Sequence, residues 1–418
     1  MVRLIPTPHG LPLRPPNGHN TGKRTSRVRV VSKFRTVSQL KKIVVVDTNA
    51  LWIRKFLEAM PACVNIQGLR IYNALSFPGG FPIGLRKAGR TEQVQQNWQD
   101  HWLAIPSWHK AFRLSTWIVL RRLRKLVRTC GRPDAFLFTL PWYASVAEKT
   151  NDSRKVYYAH DTFRFYSWNR ETVVRLETRL VNTCSFSLAV AAKVLEDLKE
   201  GSTRPVHYFP MATSWLPFHR ESRQQREKAL EDLAKISRPR VGCVGQINES
   251  YDWNLLLRLS NDFPDAQFVF IGPMFKDAQN STRIKEIFRR KNIHWLGAKA
   301  HNEIPDYLRQ FDVCVNLLKV DDHNDRRSPL RLFDYLTTDR PVLSTGVTEA
   351  FNHQPHIKVA LDHDDFSRIL DETLKGGFPV DTCSRWKYVS KQTWEARVKQ
   401  FEKLVDDSQE AHSGQALR

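Results

Sequence analysis

The feature that most constrains this chain is an alternation, run through twice, of short apolar stretches with amphipathic segments of helical period. Ile43-Val44-Val45-Val46 contains no polar position and stops at Asp47-Thr48-Asn49, the pattern of a strand buried on both faces. A helix is predicted over about 50–60. A weakly patterned Pro/Gly region follows to about 106, and then a long amphipathic helix over 108–128. Strands at 135–140, 155–158, 186–190 and 206–209 alternate with helices at 144–149, 169–182 and 191–200. At Val241 the alternation restarts, with strands at 241–244, 268–271, 293–295, 313–317, 342–343 and 357–360. Helices lie between them at 253–262, 283–290, 304–311, 329–337 and 366–374. Strand-helix repetition of this kind requires parallel sheets covered on both faces. The chain therefore reads as α/β, with two facing Rossmann-like domains. An interdomain cleft lined by the carboxyl ends of both sheets is where a ligand should bind.

The expected division is a basic disordered tail over 1–40, a first domain over 41–210 and a linker over 211–238. A second domain over 239–378 and C-terminal helices and tail over 379–418 complete it. In 418 residues, a hydrophobic fraction of 41% with 26% charged residues excludes disorder as a description of the whole. The longest apolar stretch, 114–120, is far short of the ~20 residues that span a bilayer. Pro6, Pro8, Pro12, Pro15 and Pro16 break up any apolar core of a secretory leader. The six cysteines show neither CxxC nor zinc spacing, so reduced thiols in a cytoplasmic setting are expected.

The densest motif is Arg326-Arg327-Ser328-Pro329-Leu330-Arg331-Leu332-Phe333-Asp334-Tyr335-Leu336, with Arg340-Pro341-Val342 beyond it. Ser328 as N-cap and Pro329 in the first helical position predict a helix whose N-terminus attracts phosphate. Arg331 and Asp334 then share a face, a cation for a diphosphate and a carboxylate for ribose hydroxyls. A capped helix with a solvent-facing ion pair accounts for the same spacing.

This segment resembles the donor-binding helix of GT-B glycosyltransferases of the group 1, family 4 type, whose usual text is Ser-Pro-Leu-Lys-Leu-Tyr-Glu-Tyr-Leu followed by Pro-Val. Val241-Gly242-Cys243-Val244-Gly245 through Trp253 resembles the opening of such donor domains. Phe268 to Pro273, Asn292 to Gly297 and Ile304 to Val313 follow in the family's order, and Trp394-Glu395-Ala396-Arg397 is similar to its last helix. The resemblance implies a nucleotide-sugar donor, with Arg331 on the diphosphate and Asp334 on the ribose, and Gly245, Ser328 and Pro329 beside them. Both charged residues depart from the family text, and the acid of its E-x7-E signature is replaced by Arg326. Asp321, Asp322 and Asp325 in the same loop read as a solvated charge cluster or as substitutes.

In the first half, His160-Asp161 follows the 155–158 strand at the cleft edge. A carboxylate there can take an acceptor hydroxyl's proton, so Asp161 is the candidate base and His160 its hydrogen-bonding neighbour; a loop acid capping the next helix is the plainer reading. This half resembles, more loosely, acceptor domains of family 4 and of the xanthan-type glucuronosyltransferases, in which an aspartate in this place serves as base. Asn49, Arg54 and Arg164 are further candidates for acceptor contacts. Asp362-His363-Asp364 has a metal-binding DxD spacing but precedes a late helix, so no metal and no cofactor is expected, the leaving diphosphate being met by cations.

Lys plus Arg number 65 against 43 Asp plus Glu, a net +22. No acid occurs before Asp47, and none between Asp100 and Asp134, where Lys110, Arg113, Arg121, Arg122, Arg124, Lys125, Arg128 and Arg132 accompany Trp102, Trp108 and Trp117. A basic amphipathic helix with tryptophans fits an anionic membrane surface, and equally a crossover helix packed on the sheet. Nucleic acid is a poorer partner, because no zinc finger or aromatic RNP motif is present. The expected function is transfer of a sugar to a carbohydrate or lipid-linked acceptor in polysaccharide biosynthesis, peripherally on the cytoplasmic membrane face. A GT-B nucleotide-sugar epimerase and a non-catalytic scaffold are the alternatives.

Overall fold

The computed structural model describes residues 40–73, 87–108, 110–150, 154–165, 169–215 and 231–415, with side chains to 408. Apart from Leu40, the expected basic tail lies outside the described residues. So does 216–230 of the expected linker.

The first sheet has eight strands: β1 (Lys42–Val46), β2 (Asn65–Asn73), β3 (Thr91–Gln95), β4 (Trp98–Ile105), β5 (Ala135–Phe138), β6 (Arg154–Ala159), β7 (Phe186–Ala189) and β8 (Val206–Tyr208), in the order β3-β4-β2-β1-β5-β6-β7-β8. All neighbours are parallel except the β3-β4 edge pair. The second sheet is β9 (Arg240–Val244), β10 (Gln267–Ile271), β11 (Ile293–Trp295), β12 (Val313–Asn316), β13 (Val342–Thr345) and β14 (Lys358–Ala360), ordered β11-β10-β9-β12-β13-β14 and wholly parallel. This is the doubly wound 3-2-1-4-5-6 order, and the first sheet repeats it around β1. The chain reverses direction across each sheet beside β1 and beside β9, leaving a crevice at their carboxyl ends.

The sequence patterning finds every strand of the second sheet and misses β2, β3 and β4. For β2 and β4 the reason is polar burial, while β3 is a largely exposed polar strand at the sheet edge. Asp100 in the middle of β4 is fully buried and accepts from the Thr48 hydroxyl at 3.0 Å, the Trp98 indole at 2.9 Å and Arg54 at 2.7 Å. His101 contacts Gln67 Oε1 of β2 at 2.8 Å and Thr91 Oγ1 of β3 at 3.0 Å. A Cβ on Gly68 of β2 would lie 2.1 Å from the Asp100 carboxylate, so only glycine fits opposite it. These satisfied polar groups interrupt the apolar run by which a buried strand is recognised.

One hydrophobic core surrounds the first sheet, and two cores cover the faces of the second. The final helix, Trp394–Gln415, leaves the second domain and packs Trp394, Val398, Phe401 and Val405 into the first core. Phe401 meets Phe56 edge-on at 5.4 Å. Each such side chain contributes roughly 1.5–3 kcal/mol of burial. The two domains are thereby joined by packing as well as by the polypeptide between them.

Candidate functional site

A cavity of about 440 Å³ lies between the carboxyl edges of the two sheets. From the first domain it is lined by Leu51 and Trp52 beyond β1, His160 and Asp161 beyond β6, and Val190 beyond β7. From the second it takes Gly245, Gln246 and Asn248 beyond β9, Gly272 and Pro273 beyond β10, Lys299 and His301, and 327–331 with Asp334. The candidate catalytic pair and all five candidate donor residues therefore share one cavity. Asn49, Arg54 and Arg164 do not line it. Asn49 Nδ2 donates to the Ile71 carbonyl at 2.6 Å, Arg54 is paired with buried Asp100, and Arg164 with Glu177 at 2.7 Å.

The 330–335 helix departs from its expected start. Leu330 is its first residue, Pro329 occupies the cap position, and no side chain caps it. The Ser328 hydroxyl instead accepts from the Met211 N–H at 3.2 Å, tying this segment to the chain leaving the first domain. The helix has only six residues, with Arg331 in its first turn. Its guanidinium lies 4.8 Å from the centre of the Tyr251 ring and 3.6 Å from Cys243 Sγ. Gly245 has φ 142°, and a Cβ there would stand 2.7 Å from Arg331 Nη2. The bare backbone makes room for the broad guanidinium.

Asp334 is half-buried and accepts from the Thr213 hydroxyl at 2.9 Å. Burial pushes its carboxyl up to about 7. His160 accepts at Nδ1 from the Trp52 indole N–H at 2.7 Å, and burial holds its pKa down to about 4. An indole only donates, so the imidazole is neutral with its proton on Nε2. Asp161 receives the Thr162 N–H at 2.8 Å and stands half-exposed in the cavity wall.

The loop acids resolve into structural roles. Asp321 accepts from Asn324 N, Asp325 from Thr348 N, and Asp322 pairs with Arg326. Arg326, in the place of the signature acid, reaches across to the first domain and binds Asp197 at 2.7 Å. Asp362 caps the 363–374 helix, His363 pairs with Asp252 at 2.8 Å and Asp364 with Arg258 at 2.6 Å, so the DxD-like triplet is engaged within the protein. Among the described residues, no group of three or more His, Cys, Asp or Glu is arranged to hold a metal ion.

Sequence reasoning missed Trp52 and Lys299 in the cavity wall, ordinary helix and loop residues without a motif, and gave no role to Arg327, which it placed inside the densest motif. It also missed Asp47, the one non-glycine with positive φ, 80°, among the described residues. Asp47 is buried at the end of β1, accepts from Asn49 N and the Tyr143 hydroxyl, and is pushed up to about 6 by burial. Its signal was the Asp-Thr-Asn stop after an apolar strand.

No family model matches the chain. A Bacillus subtilis (strain 168) protein named as a teichuronic acid biosynthesis glycosyltransferase, TuaH, is 24% identical over 172 residues, 41% of this chain. The match spans 39% of that relative's length. Among solved structures, sucrose-phosphate synthase from Thermosynechococcus elongatus superposes with a TM-score of 0.66 at 13% identity, covering 89% of this chain and 100% of the other. HepE of Anabaena, solved with UDP-glucose, gives 0.64 at 12% identity over 88% and 99%. The UDP-forming trehalose-phosphate synthase of Burkholderia vietnamiensis gives 0.63 at 13% identity over 88% and 99%. The fold is GT-B. The expected architecture of two facing Rossmann-like domains is borne out, and the cavity above is the GT-B interdomain cleft.

Proposed function

We propose that the chain is a glycosyltransferase. A nucleotide sugar is held by the second domain and its sugar is moved to a carbohydrate or lipid-linked acceptor held by the first, in the assembly of a cell-surface polysaccharide or glycan. The observation that carries this reading is the meeting in one cleft of Arg331 and Asp334 from one sheet edge with Asp161 and His160 from the other. The relative named for teichuronic acid biosynthesis and the solved neighbours carrying UDP or UDP-glucose support it.

In the proposed reaction the bond between the sugar's anomeric carbon and the diphosphate oxygen breaks, and a bond to the acceptor oxygen forms. Arg331, with Arg327 beside it, takes up the charge developing on the leaving diphosphate, so the reading calls for no metal. Asp334, once ionised, accepts from the ribose hydroxyls. Asp161 takes the acceptor proton in an inverting transfer. Work at the cytoplasmic face of a membrane belongs to the same proposal. No helix among the described residues is long and apolar enough to cross one, so attachment would be peripheral.

Calorimetry with UDP and UDP-glucose tests the reading. The intact protein should bind both, and Arg331→Ala should weaken binding roughly 10- to 100-fold, the range of a charge-assisted hydrogen-bond pair. Unchanged binding in that variant, or no thermal shift with any of a panel of nucleotide sugars, overturns it. Donor conversion without a glycosylated product would mark an epimerase instead.

A further inference from the structure

The helix Phe112–Cys130 connects β4 to β5, both members of the parallel part of the first sheet. Its inward stripe, Val119, Leu120, Leu123 and Leu126, is buried in the first core. Its outward positions carry Arg113, Arg121, Arg124, Lys125 and Arg128 together with Leu114 and Trp117, which are 50% and 53% exposed. At 3.6 residues per turn these positions fall within about a third of the circumference. No acid occurs from 101 to 133, so nothing on the helix neutralises them.

Trp102, Trp108 and Arg122 of this stretch turn inward, whereas Lys110 and Arg132 are exposed just outside the two ends of the helix. Trp102 stacks on Tyr72 at 5.1 Å, Trp108 is buried edge-on against Tyr143, and Arg122 donates to His101. What remains outside is a selected face. Leu114 and Trp117 are one turn apart, and the Arg121 guanidinium lies 5.4 Å from the centre of the Trp117 ring.

We infer that this face docks on an anionic lipid surface, with Leu114 and Trp117 entering the headgroup boundary and the cations lying over lipid phosphates. Amphipathic side chains flanked by arginine, on a helix that meets the surface with its first turns deepest, satisfy both the apolar and the charged parts of such an interface. A nucleic-acid duplex would use the cations but leave an exposed leucine without a partner. Topology fixes the direction. The helix leaves the carboxyl end of β4 and runs back towards the amino end of β5, so its first turns, with Leu114 and Trp117, lie at the sheet edge that lines the cleft. Docking by this end brings the acceptor side of the cleft to the membrane, where a lipid-linked acceptor would be presented. Only that last step rests on the proposed transferase reading.

The test is co-sedimentation of the full chain with phosphatidylcholine vesicles, with and without phosphatidylglycerol, alongside UDP calorimetry on the same preparations. The intact protein should bind the anionic vesicles and not the neutral ones. Joint substitution of Arg113, Arg121 and Arg124 by Gln should weaken binding at least tenfold, given roughly 1 kcal/mol per basic residue at such a surface. Leu114→Ala with Trp117→Ala should remove the binding that survives raised salt. UDP affinity and thermal unfolding should be unchanged in both, so a failed donor reading and a failed docking reading are told apart. Vesicle binding equal to that of the intact protein in both variants, as it would be if the basic N-terminal segment docked alone, overturns the inference. So does tighter binding to a DNA duplex that the same substitutions abolish.

Discussion

The guanidinium of Arg331 sits 4.8 Å from the centre of the Tyr251 ring, and so near Gly245 that a Cβ there would stand 2.7 Å from its Nη2. The family text has lysine here, and the broader cation is seated by an aromatic face and by a missing side chain. Gly245→Ala is therefore expected to weaken UDP binding about tenfold while leaving uridine binding unchanged, because it displaces the diphosphate cation and strains a backbone at φ 142°. Tyr251→Leu should act in the same direction through the lost cation–π contact, and Tyr251→Phe should not. Calorimetry with the two ligands separates a diphosphate effect from a general loss of the site.

Arg326 and Asp197 brace the two domains, and both are largely buried, at 14% and 18% exposure. Removing one partner leaves the other desolvated. Arg326→Ala should lower the unfolding temperature and enlarge the radius of gyration in solution scattering. The swap Arg326→Asp with Asp197→Arg should recover part of both. An unchanged scattering profile in the single variant would show that this ion pair does not set the domain arrangement.

Asp334 gives a pH dependence with a definite sign. Its folded-state value of about 7 lies above the ordinary 3.8, so the folded protein holds this proton more tightly than the unfolded chain. The resulting stability is fully present below about 3.8 and is lost as pH rises through about 7. Asp334→Asn removes that loss and should unfold at a higher temperature than the intact protein at pH 8, with the difference shrinking at pH 5. In the intact protein UDP affinity should rise from pH 6 to 8 as the carboxylate becomes able to accept from ribose, and Asp334→Asn should flatten that rise.

The legible parts of this molecule are those where one physical rule acts alone. Ile43 to Val46 and Val241 to Val244 are buried on both faces and read directly as strands. Arg331 and Asp334 were legible as a pair because three residues on a helix place two side chains on one face. β4 was illegible because Asp100 and His101 are buried by virtue of partners just beyond β1 and on β2 and β3, and no local pattern reports Thr48 and Gln67, which are 52 and 34 residues away. Arg326 was legible as a departure but not as a brace, since Asp197 is 129 residues distant. Asn49, Arg54 and Arg164 were selected by residue type near strand ends, and buried acids and carbonyls on neighbouring elements claim their side chains first.

Burial keeps His160 neutral and the Trp52 indole fixes which ring nitrogen carries its proton, and this yields the sharpest prediction about the first domain. The indole N–H donates to Nδ1 at 2.7 Å and has no acceptor function, so a protonated ring would place two donors against each other. Burial acts the same way, holding the pKa near 4. A lowered histidine value means stability that is present above about 6.5 and lost as pH falls through about 4. Across pH 5 to 9 His160 is therefore a neutral group, and any ionisation seen in a rate profile over that range belongs to another residue. Trp52→Phe removes the donor and leaves Nδ1 free to take a proton, so the imidazole should titrate above its value in the intact protein while burial still holds it below 6.5, followed by its ring resonances in NMR. A His160 that titrates near 6.5 in the intact protein contradicts the buried, neutral ring.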